Sequence, residues 1–174
     1  MQGARRPGPP GAAARFPLAP VMTLLSDLLP ASHILLDVAA ADKQAVFEQA
    51  GTLLAASTGL KPGHIVDSLV ARERMGSTGL GQGIAIPHGR VKGLRAAVGC
   101  LIRTRVPIAF DAPDDVPVGL IFVLLVPEKS TDLHLEILSE LAQMFSNREM
   151  RSGLAAAQDA LAAQRLIARW RVQA

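Results

Sequence analysis

The eleven residues Pro117–Pro127, PVGLIFVLLVP, carry no charged side chain and no side-chain hydrogen-bonding group. The run is far shorter than the ~20 residues needed to cross a bilayer as a helix. It also lacks the in–out alternation of a strand with one wet face. It reads as a central strand covered on both faces, an arrangement that needs helical layers on either side of one sheet. Helices must therefore be found in the rest of the chain.

They are legible. Within Asp42–Ser57, Val46, Ala50, Leu53 and Leu54 recur at helical spacing, with Ala41-Asp42 as the cap region and Gly59 as a stop. The segment Lys61–Met75 reads as a second helix started by Pro62, with Ile65, Leu69 and Val70 inward. After the apolar run, Thr131–Phe145 is amphipathic, with Leu133, Ile137, Leu141 and Met144 as its stripe, and a last helix covers Asp159–Trp170. Two further strands are expected: Ile84–Ile86, ended by Pro87, and Ala96–Thr104, with Val98, Cys100 and Ile102 on one face. Together with the length of 174 residues, this pattern gives an α/β fold: a single domain with a mixed central β-sheet flanked by helices on both faces.

Residues 1–21 stand apart. Five of the twelve prolines fall in the first twenty residues, among Gly, Ala and Arg, a composition that cannot bury enough apolar surface to order itself. Disorder is expected there, with Met22 as the true start and residues 22–174 as the folded domain. Arg5, Arg6 and Arg15 lie in this tail, the first acid is Asp27, and the formal charge of +3 vanishes without them. The folded part is thus neutral, without the basic footprint of a nucleic-acid binder, and at 3% aromatic content it has little to stack on bases. Cys100 is the only cysteine, which excludes an internal disulfide and a cysteine-based zinc site. The tail has no apolar h-region, so a cytoplasmic protein without membrane insertion is the expectation.

Between the second helix and the Ile84 strand lies GSTGLGQGIAIPHGR, Gly76–Arg90. Glycines let backbone approach a ligand, and successive N–H groups in such a loop can form an anion site. Ser77 and Thr78 offer hydroxyl donors beside Gly79. The stretch is not a phosphate-binding P-loop, because no Gly-Lys-Ser/Thr ends it, and it precedes a strand where a dinucleotide loop would follow one. His88 comes just after Pro87, where the chain is expected to leave the sheet at a rim suited to ligands. As an isolated Pro-His-Gly, a surface turn is the better reading. Arg72, at the end of the second helix, can bind a phosphoryl group through charge-assisted bonds, or simply be a solvated helix end. His134, in the first turn of the amphipathic helix, can face an anion at the helix N-terminus, or be a partly buried histidine.

Taken together, ARERMGSTGLGQGIAIPHGRV closely resembles the signature of enzyme IIA of the fructose–mannitol (type 2) family in the bacterial phosphoenolpyruvate-dependent phosphotransferase system. The nitrogen-regulatory branch is the nearest in form. The likeness extends over about Met22–Val172, including PIAFDAPDDVPVGLIFVLLVP and DLHLEILSELA. It implies a phosphocarrier with a mixed sheet flanked by helices. His88 would accept the phosphoryl group from an upstream small histidine phosphocarrier protein, with Arg72 and His134 as active-site partners. Ser77, Thr78 and Gly79 are expected to line the phosphate, and no metal or cofactor is expected. A stand-alone regulator with phosphorylation-dependent targets is the first expectation. Delivery to a sugar-specific IIB unit is the second, and a binding module without phosphorylation the third.

Overall fold

The computed structural model describes residues 24–171. The expected tail disorder and the start at Met22 lie outside these residues. A short helix α1 (Leu24–Leu28) and a 3-10 turn (Ala31–His33) lead into strand β1 (Ile34–Val38). Helices α2 (Lys43–Thr58) and α3 (Pro62–Arg74) follow, then the short strands β2 (Gly79–Gly81), β3 (Ile84–Ala85) and β4 (His88–Val91). The long strands β5 (Val98–Ile108) and β6 (Val118–Pro127) form an antiparallel pair, and α4 (Thr131–Ser146), α5 (Arg148–Ala156) and α6 (Ala160–Arg169) complete the chain.

Local chemistry sets the boundaries of the leading helices. The Asp42 side chain accepts from the N–H of Ala45 at 2.9 Å, and Gly59 closes α2 in the left-handed region at φ +75°. Pro62 opens α3, where its missing N–H costs nothing.

The six-stranded sheet runs β1-β5-β6-β3-β2, with β4 also paired to β6. Parallel and antiparallel pairings coexist, and β6 is the axis on which the others are built. Along β6, Leu120, Phe122, Leu124 and Val126 face one way and join Leu25, Ile137, Leu141, Met144, Leu154 and Ile167 in one apolar cluster. Ile121, Val123 and Leu125 face the other way and join Val46, Phe47, Leu54, Ile65 and Leu69. Both faces of β6 are dry because α2 and α3 cover one and α1, α4, α5 and α6 cover the other. Cys100 and Ile102 share the α2–α3 side with Val98 packed against them, as the alternation in β5 requires.

Four details differ from the sequence reading. The chain does not leave the sheet at Pro87: it steps, and His88–Val91 re-pair with Leu124–Pro127 in parallel register. Pro87 lacks the donor for a continuous ladder, but its carbonyl still accepts from the N–H of Leu124 at 2.9 Å, so the strand resumes at once. Leu133 is not part of the buried stripe of α4, being 37% exposed, while Ile137, Leu141 and Met144 are buried. A strand, β1, precedes α2, its five residues too short for a period to emerge. A third trailing helix, α5, is capped by the Asn147 side chain, which accepts from Met150 N at 2.9 Å.

Candidate functional site

Period-2 alternation in β4 decides what His88 can touch. His88 and Arg90 point to the α4 side, while Gly89 and Val91 point to the α3 side. A Cβ on Gly89 would land on Ser68 of α3, so the glycine lets α3 lie close against β4. That close approach puts the last turn of α3, and with it Arg72, beside His88. From the other side, the first turn of α4 brings in His134.

The structure brings Arg72, His88 and His134 together. The Arg72 Nε–H donates to His88 Nε2 at 3.3 Å, and the same guanidinium is braced by an NH1 bond to the Gly76 carbonyl at 2.9 Å. The rings of His88 and His134 meet edge to face with centroids 5.2 Å apart. His88 is half-buried, and His134 is 8% exposed.

Hydrogen bonding fixes both tautomers. His88 Nδ1 lies 2.7 Å from the Ile86 carbonyl oxygen, which can only accept. Nδ1 therefore carries the proton, and Nε2 keeps its lone pair toward Arg72. His134 Nδ1 accepts from Arg90 Nε–H at 3.4 Å, which places the proton of that ring on Nε2. That Nε2 is buried and has no partner among the described residues.

Both rings are held neutral. Burial lowers the pKa of His88, and the Arg72 charge lowers it further, against an opposing pull from the Ile86 carbonyl and Glu73. Burial likewise lowers His134, reinforced by His88, Arg90 and Arg72. A neutral imidazole whose lone pair meets only the long N–H bond from Arg72, with an idle N–H donor beside it, is equipped for nucleophilic attack on an electrophile that carries negative oxygens.

The three loop residues expected at the phosphate are occupied otherwise. The Ser77 hydroxyl donates to the Phe110 carbonyl at 2.6 Å and accepts from Gly79 N–H at 3.1 Å. The Thr78 hydroxyl donates to Glu73 Oε2 at 2.6 Å, and its backbone N–H also goes to the Glu73 carboxylate. Gly79 sits against Ala112, whose Cβ would be 2.8 Å from a Cβ at position 79. These residues lock the loop to its neighbours.

Glu73 and Arg90 were not singled out by the sequence. The Glu73 carboxylate gathers Thr78 and the Lys43 ammonium at 2.9 Å, and Lys43 also reaches Asp111 and lies 4.8 Å above the Phe110 ring. Within ARERM, Glu73 looks like one more charge on a helix end. Arg90 had a usable signal: two residues beyond His88 in a strand, it must share that face.

The family model described as phosphoenolpyruvate-dependent sugar phosphotransferase system, EIIA 2, matches residues 27–170. A nitrogen regulatory protein of Pseudomonas aeruginosa is 39% identical over 147 residues, covering 84% of this chain and 96% of its own. The crystal structure of nitrogen regulatory protein IIA-Ntr from Neisseria meningitidis superposes with a TM-score of 0.80 at 48% identity, over 83% of this chain and 99% of that one. Enzyme IIA of the Escherichia coli mannitol system, solved in complex with phosphorylated mannitol enzyme IIB, shares the fold with a TM-score of 0.70 at 21% identity, over 81% of this chain and 99% of that one.

Proposed function

The chain belongs to the EIIA type 2 family of the phosphoenolpyruvate-dependent sugar phosphotransferase system, and on that premise we propose that it carries a phosphoryl group on Nε2 of His88. The observation that carries this assignment is the 2.7 Å contact between His88 Nδ1 and the Ile86 carbonyl. It commits one nitrogen to the backbone and leaves the other as the nucleophile.

In the transfer step the Nε2 lone pair forms a bond to phosphorus as the bond between phosphorus and the donor protein breaks. The leaving group departs with the bonding pair. No proton has to leave His88, since Nε2 carries none. Attack makes the ring cationic, and the Nδ1–H bond to Ile86 strengthens as it does so. Once Nε2 is bonded to phosphorus it can no longer accept from Arg72, so the Arg72 N–H turns to a phosphoryl oxygen. The idle Nε2–H of His134 supplies a second donor. Phosphoryl transfer asks for positioning and for donors facing the equatorial oxygens, and these side chains provide both.

The donor in this reading is a small histidine phosphocarrier protein. The identity to nitrogen regulatory proteins over nearly the whole of their length supports a regulatory output, in which a phosphoryl charge of about −1.5 to −2 switches which proteins dock at the site. Delivery to a IIB unit is the second reading, favoured by the fold shared with a mannitol enzyme IIA that was solved with its phosphorylated IIB.

Incubation of wild type and His88→Ala with the phosphorylated donor, followed by intact mass, tests the assignment. Wild type gains one phosphoryl group and His88→Ala gains none; phosphorylation of the variant would refute it. Binding of candidate targets to both phosphorylation states tests the regulatory output, for which affinities should differ at least tenfold, about 1.4 kcal/mol.

A further inference from the structure

We propose that a cavity at the opposite end of β6 from His88 is a second site, which binds a small metabolite bearing a carboxylate or phosphate group. The cavity, of about 510 Å³, opens where β6 begins, around Pro117 and Gly119, and is bounded by the β2–β3 turn, the end of β5 and one face of α5. His88 pairs with Leu124, whereas the cavity touches the Ile84–Leu120 pair, lower on the sheet. Four residues of strand separate the two rungs, roughly 13 Å.

Its wall is cationic. Arg103, Arg105 and Arg151 line it against a single carboxylate, Asp37. That carboxylate is already used: it accepts from Arg103 NH2 at 3.2 Å. Arg103 NH1 is likewise spent on the carbonyls of Leu154, Ala155 and Ala157, which fixes α5 as a wall of the cavity. Arg151 gives NH1 to the Phe145 carbonyl, and no hydrogen bond or ion pair engages its other nitrogens. Among the described residues Arg105 has neither a hydrogen bond nor an ion pair. Arginines from two elements thus line one hollow that holds a single carboxylate, itself paired with Arg103, the chemistry that binds carboxylates and phosphates.

The remaining wall is apolar: Pro107, Pro117 and Leu120 offer a surface for a short carbon skeleton. The site suits a compact organic anion, with its charged head at Arg105 and Arg151 and its body on the prolines.

Titration of uniformly ¹⁵N-labelled full-length protein with succinate and, separately, with inorganic phosphate tests the proposal. Amide shifts of Gly83, Thr104, Gly119 and Ser152 should saturate with at least one probe, at a dissociation constant of about 10 mM or tighter. Arg105→Ala should weaken that binding about tenfold, the loss of one charge-assisted contact. Arg105→Lys should keep more of the binding than Arg105→Ala, and neither change at this exposed position should move Tm, a pattern that damage to the fold does not produce. Saturation by succinate alone marks a carboxylate site, and by phosphate alone a phosphate site. Shifts confined to His88, Arg72 and their neighbours, or binding unchanged in Arg105→Ala, would overturn it.

Discussion

At the scale of single residues, the arrangement assigns a distinct part to Arg90. Its Nε–H holds His134 in the tautomer that leaves Nε2–H free, and its charge helps keep that ring neutral. Arg90→Ala should raise the His134 pKa and slow phosphoryl acceptance about tenfold or more, the worth of one charge-assisted hydrogen bond. Arg90→Lys, which keeps the charge but not the fork, should restore the pKa better than the rate; both are read from imidazole NMR titrations and single-turnover kinetics. The pH profile follows from His88. Burial and the Arg72 charge hold its pKa below the ordinary 6.5, so more than half of the nucleophile is unprotonated at pH 6.5, and the acceptance rate there should stay above half its plateau and fall further at lower pH. A rate that already halves at pH 6.5 would contradict a depressed value. His88, Arg72 and His134 were singled out by the resemblance of the whole stretch; each alone reads as well as a turn, a solvated helix end or a partly buried histidine. Glu73 gave no signal, since a charge beside solvent looks the same in a sequence whether or not it is turned toward a partner, and the signal of Arg90 depended on knowing that His88–Val91 is a strand.

Among the secondary-structure elements, long periodic segments declared themselves and short ones did not. The caps of α2 and the proline start of α3 are visible as residue types, and ten apolar residues of β6 leave little choice of layer. β1, β2 and β4 fail as sequence signals because three to five residues cannot display a period, and β3 was read only from its apolar run and proline stop; β1 forms on β5, β3 and β4 form on β6, and β2 forms on β3. The glycine stretch was legible as unusual backbone, but one packing reason for it was not. Gly79 lies against Ala112, whose Cα and Cβ leave no room for a side chain. Gly79→Ala should destabilise the fold by about 1–3 kcal/mol, the range for overpacking. Adding Ala112→Gly should recover part of that loss. Urea denaturation of the two single variants and the double variant measures this coupling; strict additivity would mean that the two residues do not compete for space.

For the molecule as a whole, one carboxylate ties three separate regions together. Glu73 on α3, its side chain 8% exposed, binds Lys43 from the start of α2 and Thr78 from the loop before β2; Lys43 extends the network to Asp111 beyond β5. Burial works against the Lys43 charge, but bonds to Glu73 and Asp111 outweigh it and raise the pKa. Glu73→Ala leaves Lys43 with Asp111 alone and two loop donors unpaired, and should cost about 1–3 kcal/mol in chemical denaturation. It should also loosen the loop that braces Arg72, so transfer ought to slow even where the variant remains folded. Such long-range ties were beyond sequence reading, because nothing in the spacing of residues 43, 73 and 111 announces their meeting. The stepped strand through Pro87 carries a different kind of consequence. Its carbonyl keeps the rung to Leu124, so the residues on either side are geared to β6 and not hung from a slack tether. Adding or deleting one amino acid between Ile84 and His88 would carry the imidazole through the sheet to the layer of Leu69 and Val91, away from His134. Relatives of this chain can therefore exchange one buried apolar side chain for another in that stretch, but its length should stay the same wherever the imidazole faces His134.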